Sequence, residues 1–284
     1  MNSKLNLQLR QAVDLVVCDL DGTLLNPDHK VTPRTIAAVR ALVDQGVQFM
    51  IATGRHYQDV YLIAQQLGVE MDLITSNGAR VHDRHGRVLY ENHMPENLVR
   101  EVLEISSGFE IHRNLYQQDL WLVEEPHEEL LAIHDTSGFE YQLTDFAQLD
   151  LTHIDKIYFT AAHEVLQPLE HTLRRRFANQ LSITFTSPEY LEIMNFGVCK
   201  GRALEMILEQ KALRPERTVA LGDGMNDKEM LQLAGYPVVM ANAAESVKTW
   251  LNQAGISAHI ARANSEEGVA HYLETVLLPK LKPN

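Results

Sequence analysis

Val13-Asp14-Leu15-Val16-Val17-Cys18-Asp19-Leu20-Asp21-Gly22-Thr23 is the stretch on which the reading of this chain turns. Residues 13–18 form a short apolar run rich in β-branched residues, the composition of a buried strand. The run passes directly into two aspartates at i and i+2, followed by a glycine. Neighbouring carboxylates at the end of a buried strand repel each other and are costly unless a cation shares them. That juxtaposition points to a strand inside a covered sheet and to charged chemistry at its edge.

Working outward, Thr32-Pro33 is a helix start, with Thr as N-cap and Pro at the first helical position. Ile36, Val39, Ala41, Leu42 and Val43 supply that helix with an apolar stripe, and Gly46 ends it. Residues 47–52 predict a second strand and residues 58–67 a helix closed by Gly68. Residues 73–75 predict a third strand, ending at Ser76-Asn77-Gly78. From Val81 the pattern changes to a hairpin turning at His85-Gly86, then to helices mixed with short strands at 156–160 and 182–186. Alternation returns at Lys200, with a helix over 202–211 and a strand over 218–221 leading into Gly222-Asp223-Gly224. A helix over 228–233, a strand over 237–240 and closing helices over 244–253 and 266–278 follow. Strands alternating with helices indicate a parallel sheet with helices on its faces. The sequence thus predicts an α/β fold, a Rossmann-like doubly wound parallel sheet made from residues 1–83 and 197–284. An α+β domain is inserted at residues 84–196.

Composition narrows the function. In 284 residues, 45% are hydrophobic and 22% charged, enough to bury a core. The formal net charge of −13 argues against nucleic acid as a partner, because binding a phosphate backbone takes clustered Lys and Arg. An anionic substrate must then be captured by local donors and a cation. Cys18 and Cys199 form no CxxC pattern, which argues against a disulfide framework or structural zinc. The 13 histidines show no HExxH spacing, and Asp227 stands where a dinucleotide fingerprint needs its third glycine. No run approaches the roughly 20 apolar residues of a membrane span, and residues 1–10 do not read as a signal peptide. A cytoplasmic protein without a membrane partner, a monomer or weak homo-oligomer, is expected.

Ligands of open parallel sheets bind outside the carboxyl ends of the strands. Three predicted strands end in suitable residues: Asp19 and Asp21, then Thr53-Gly54-Arg55, then Asp223 with Asn226 and Asp227. Lys200 opens a helix between the last two. Hard oxygen ligands without His or Cys suit Mg²⁺. An aspartate can accept a phosphoryl group covalently, and a second can serve as general acid and base. Lys200, Thr53 and backbone N–H groups can hold phosphoryl oxygens, each such donor being worth roughly 10²–10³ in rate. Asp227, about one helical turn beyond Asp223, can support the metal from behind.

Four segments, in order and spacing, resemble the motifs of the haloacid-dehalogenase-like phosphatases. They are Asp19-Leu20-Asp21-Gly22-Thr23-Leu24-Leu25, Thr53-Gly54-Arg55, Lys200-Gly201 and Gly222-Asp223-Gly224-Met225-Asn226-Asp227. Ser76-Asn77-Gly78-Ala79 and the large insert before Lys200 resemble the Cof-type subgroup, whose C2-type cap lies between the second and third motifs. The resemblance runs from Leu15 to about Leu278. It implies a Mg²⁺-dependent phosphatase of small phosphorylated metabolites. Asp19 would be nucleophile and metal ligand, and Asp223 a further ligand. Asp21 would be acid/base and would ligate through its backbone carbonyl. Leu20 (backbone), Thr53, Gly54, Lys200 and Asn226 would bind phosphate. Residues 53–56, 76–83 and 191–203 are similar to members that hydrolyse pyridoxal phosphate, and sugar phosphates are the next substrate expected. Arg55, His56, Asn77, Glu192 and Asn195 are candidates to read the leaving group. Cys199 stands where many members carry Ser, and residues 1–12 have no counterpart. Two other readings stay open: a phosphomutase of the same superfamily, and a non-enzymatic phospho-acceptor module, against which the presence of Asp21 weighs.

Overall fold

The computed structural model describes residues 13–132, 134 and 137–281, so the segment without a counterpart lies outside the described residues. The chain opens with β1 (Leu15–Cys18), α1 (Pro33–Asp44), β2 (Gln48–Ala52), α2 (Tyr57–Leu67), β3 (Leu73–Thr75), β4 (Arg80–His82) and β5 (Val88–Glu91). It continues through α3 (Glu96–Ser106), β6 (His112–Gln117), β7 (Leu120–Val123), α4 (Glu128–Ala132), β8 (Tyr141–Leu143), β9 (Ile154–Thr160), α5 (His163–Arg176), β10 (Leu181–Ser187) and β11 (Tyr190–Asn195). It closes with α6 (Lys200–Gln210), β12 (Thr218–Gly222), α7 (Lys228–Leu233), β13 (Tyr236–Met240), α8 (Glu245–Ala254), β14 (His259–Ala261) and α9 (Gly268–Tyr272).

Among the described residues, eight strands form a sheet in the order β14-β13-β12-β1-β2-β3-β4-β5. Strands β14 to β3 run parallel, and β4 and β5 extend the edge antiparallel. The fold is thus α/β, as expected. Every residue of β1 is fully buried because both faces are covered. Val16 and Cys18 pack with Val39 and Leu42 of α1, while Leu15 and Val17 pack with Leu204 and Ile207 of α6. The chain builds outward from β1 in both directions, so the carboxyl ends of β1 and β12 lie side by side, with Cys18 opposite Leu221. This is the point where strand order reverses and ligands bind.

Local chemistry sets the helix boundaries. Thr32 Oγ1 accepts the amide of Thr35 to start α1, and His56 Nδ1 accepts that of Gln58 to start α2. Cys199 Sγ accepts that of Arg202 to start α6.

The second sheet runs β10-β11-β9-β6-β7-β8. It is antiparallel except where β8 joins β7. Ile157 and Phe159 of β9 pack with α3 and α5. Lys156 and Tyr158, at the alternate positions, point to the other side and help line a cavity against the larger sheet.

Three expectations are refined. β5 pairs with β4, so a boundary at residue 84 falls inside a hairpin of the larger sheet. The helix expected over 266–278 is regular only over Gly268–Tyr272, then widens into a turn at Leu273–Leu277. Strands β6, β7, β8, β11 and β14 were not anticipated. Among the described residues, no helix is long and apolar enough to cross a membrane.

Candidate active site

The polar strand ends meet. Lys200, fully buried at the start of α6, donates from Nζ to Asp19 Oδ1 at 2.5 Å and to Asp227 Oδ1 at 2.7 Å. Asp227 Oδ2 accepts the backbone amides of Asp223 and Gly224, each at 3.0 Å. Both oxygens of Asp227 are therefore committed, and its work is to fix Lys200 and the Asp223 backbone. Thr23 Oγ1 donates to Asp223 Oδ1 at 2.8 Å. Oxygens of Asp19, Asp223 and Asp227 all lie within 4.8 Å of one another. Gly22 makes the approach possible: its φ is +75°, and a Cβ there would lie 2.8 Å from Asp223 Cγ.

Electrostatics follow from this crowding. Burial, then repulsion from Asp227, pushes the Asp19 carboxyl well above the usual carboxylate range, with Lys200 opposing. Burial and Asp227 push Asp223 up to about 6. For Lys200, burial favours loss of the proton, but Asp19 and Asp227 outweigh it and hold the ammonium. Three carboxylates against one ammonium leave an excess of negative charge that a divalent cation would balance. The donor set of hard oxygens, with no sulfur or imidazole, fits Mg²⁺.

Asp21 stands apart from that cluster, gripped by Arg55 through two hydrogen bonds of 2.7 and 2.6 Å. Burial favours its neutral form, but His29 and Arg55 outweigh burial and hold its carboxyl well below the usual range. Arg55 is held in turn by Asp59 at 3.0 Å. Asp59 is fully buried on α2 and also meets His134, at 3.0 Å, and the Ser137 hydroxyl.

Above these groups lies a cavity of about 380 Å³. Asp19, Asp21, Thr53, Gly54, Arg55, Asp223 and Asn226 line one side of it. Tyr116, Lys156, Tyr158, Tyr190 and Glu192 of the smaller sheet line the other. Leu20 and Lys200 lie fully buried behind that wall. The remaining leaving-group candidates sit elsewhere. His56 is fully buried, with Nε2 2.6 Å from the Gln118 carbonyl and its ring stacked on Phe139. Asn195 donates to Asn92 at 2.6 Å where the chain crosses between the sheets. Asn77 is buried beneath Glu192 and Asn226.

Sequence reasoning missed Asp59, Lys156, His134 and the three tyrosines. Lys156 carried a signal, since Asp155-Lys156 interrupts an otherwise apolar strand. The tyrosines carried none that separates a cavity wall from a core.

The model of the haloacid dehalogenase-like hydrolase family matches residues 16–273. The chain is 39% identical over 261 residues to the HMP-PP phosphatase of Serratia proteamaculans, covering 92% of this chain and 94% of the relative. It is 39% identical over 259 residues to the HMP-PP phosphatase of Yersinia pseudotuberculosis, covering 91% and 93%. A haloacid dehalogenase-like hydrolase from Bacteroides thetaiotaomicron superposes with a TM-score of 0.81 at 26% identity, over 93% of this chain and 99% of that one. One from B. subtilis gives 0.81 at 26%, over 93% and 100%. The chain belongs to the haloacid dehalogenase-like hydrolases, in their Cof-type branch. Within that branch it is a phosphatase.

Proposed function

We propose that this phosphatase of small phosphorylated metabolites depends on Mg²⁺ and works through an aspartyl-phosphate on Asp19. One observation carries the reading. Asp19, Lys200 and the Asp223–Asp227 turn come from three separate stretches of chain and converge beneath a cavity walled by both sheets.

Asp19 attacks phosphorus with the oxygen that Lys200 does not hold. Lys200 orients that carboxylate and opposes the effect of its burial. Thr53, the backbone about Leu20 and Gly54, and Asn226 receive the phosphoryl oxygens. Asp19, Asp223 and the Asp21 carbonyl are the groups that would hold Mg²⁺, which when bound offsets their charge and polarises the phosphoryl group. Asp21 gives a proton to the departing oxygen, then takes one from the water that splits the aspartyl-phosphate. Its pairing with Arg55 suits the base role. To act as an acid it must first release Arg55 and take up a proton from solvent, which it then gives to the leaving-group oxygen.

We read the smaller sheet, between the crossings at Asn92 and Asn195, as a cap that excludes water. Its tyrosine wall favours a flat ring on the leaving group. HMP-PP, after which the relatives are named, and pyridoxal phosphate are the first substrates to test, with sugar phosphates beside them. The experiment is phosphate release from this panel with Mg²⁺, with EDTA, and with Asp19→Asn. Release without a bisphosphate activator separates a phosphatase from a phosphomutase. Turnover surviving in Asp19→Asn would remove Asp19 from its role, and turnover indifferent to EDTA would remove the metal.

A further inference from the structure

A lysine and a glutamate of the smaller sheet face the site, and both are buried: Lys156 is 3% exposed and Glu192 6%. They stand on neighbouring strands β9 and β11 and pair at 3.0 Å. Lys156 Nζ also donates at 2.8 Å to the carbonyl of Gly54 and lies 4.7 Å from the centre of the Tyr116 ring. Two of the ammonium's protons are thus given to Glu192 and the Gly54 carbonyl, while its charge lies over the Tyr116 ring. The second oxygen of Glu192 accepts from Asn77 Nδ2. Asn77 Oδ1 in turn accepts from Asn226 Nδ2 at 3.0 Å. Asn77 and its neighbour Ser76 both hold positive φ, 53° and 48°, a conformation that residues other than glycine adopt under constraint.

Each branch of this network starts on the smaller sheet and ends beside a group read above as phosphate-binding. One ends on Gly54, between Thr53 and Arg55; the other ends through Asn77 on Asn226. We infer that Lys156 and Glu192 are positioning residues that set the phosphate cradle of the larger sheet, and that Glu192 does not read the leaving group. The inference rests on the phosphatase reading. Glu192 lines the cavity, but its carboxylate is engaged by Lys156 and Asn77. A buried pair of this kind leaves an uncompensated charge when one partner is removed, so its geometry is held firmly. Seating the smaller sheet thereby assembles the place where phosphate is held, whatever ester carries it.

The test compares wild type with Glu192→Gln, Asn77→Gly and the double variant Lys156→Met/Glu192→Leu. The substrates are p-nitrophenyl phosphate, pyridoxal phosphate and a sugar phosphate. Inhibition by inorganic phosphate and Tm are measured alongside. Glu192→Gln should lower kcat/KM on the order of 10²-fold, the cost of a small misplacement in a site. The factor should be similar for all three esters, with inhibition by phosphate weakened in parallel. The double variant exchanges the pair for apolar bulk; it should regain Tm without regaining kcat/KM. Asn77→Gly tolerates the positive φ and leaves the Lys156–Glu192 pair intact; it should show the same uniform loss, and it carries the test if Glu192→Gln does not fold. A loss confined to one ester, an unchanged phosphate inhibition constant, or full activity in the double variant would overturn the inference while wild-type turnover still upheld the phosphatase reading. A wild type that releases no phosphate from any ester would overturn both.

Discussion

His56 makes stability depend on pH in a direction and amount that can be worked out. Its Nε2 lies 2.6 Å from the Gln118 carbonyl and its Nδ1 accepts the amide of Gln58 at 3.1 Å. The neutral ring satisfies both contacts, and a second proton on Nδ1 would break the start of α2. Burial lowers the pKa from 6.5 to about 4, with the Gln118 carbonyl opposing. The unfolded chain therefore takes up the proton first. The stabilisation is fully present above about pH 6.5 and is lost as pH falls through that value toward 4. Each pKa unit is worth about 1.4 kcal/mol. The ceiling is thus about 3 kcal/mol, of which about 2 kcal/mol is lost between pH 7 and pH 5. At roughly 2–4 °C per kcal/mol for a chain of this size, that is roughly 4–8 °C in Tm. The assay is thermal unfolding of wild type and His56→Asn at the two pH values. Asn keeps an acceptor for the Gln58 amide but does not titrate. His82, also pushed down to about 4, mainly by burial and then by Arg80, titrates in both proteins and cancels apart from the smaller part of its shift that comes from His56 itself. The stability advantage of wild type should shrink by about 2 kcal/mol at pH 5. Equal losses in the two proteins, or a His56 ring titrating near 6.5 by NMR, would refute the reasoning.

Lys200→Met leaves Asp19 and Asp227 without their shared cation, so kcat should fall roughly 10²–10³-fold; steady-state kinetics check this. Gly22→Ala places a methyl group against the Asp223 carboxylate at a positive φ, and should remove metal-dependent turnover; titration with Mg²⁺ followed by calorimetry should show weakened binding. Cys199→Ser replaces the weak sulfur acceptor at 3.4 Å from the Arg202 amide with a preferred N-cap, and should raise stability by roughly 0.5–1 kcal/mol with kcat unchanged.

The centre of the larger sheet was legible because strands such as β1 and β12 are buried on both faces and read as unbroken apolar runs, as in residues 15–18. The strands of the smaller sheet were harder. β6, His112 to Gln117, mixes polar and apolar residues because Leu115 packs on the helices while, on the other face, Tyr116 lines the cavity and Asn114 is buried against the Trp121 indole N–H. In the larger sheet the edge strand β14 was missed: it is three residues long and only partly buried. The convergence of Asp19, Lys200 and Asp223 could be foreseen because each follows a strand or opens a helix at the same edge. The partners of Asn77 and Glu192 could not, because they depend on how the smaller sheet sits against the larger one. His56 shows the same limit: next to Arg55 in sequence it suggests a substrate contact, yet it closes the start of a helix.

The chain leaves the larger sheet after β5 and returns before α6, and the side chains of Asn92 and Asn195 join the outgoing and returning segments. Both chain connections to everything between lie at this one border, like a page bound along its spine. Exchanging what lies between these asparagines for the corresponding part of a relative leaves β1, β12 and the loops after them untouched in sequence. The graft must match the host at Gly54 and Asn77, and also at His56, Asp59 and Arg80, to seat properly, so compatibility between old and new halves would be decided at these named contacts.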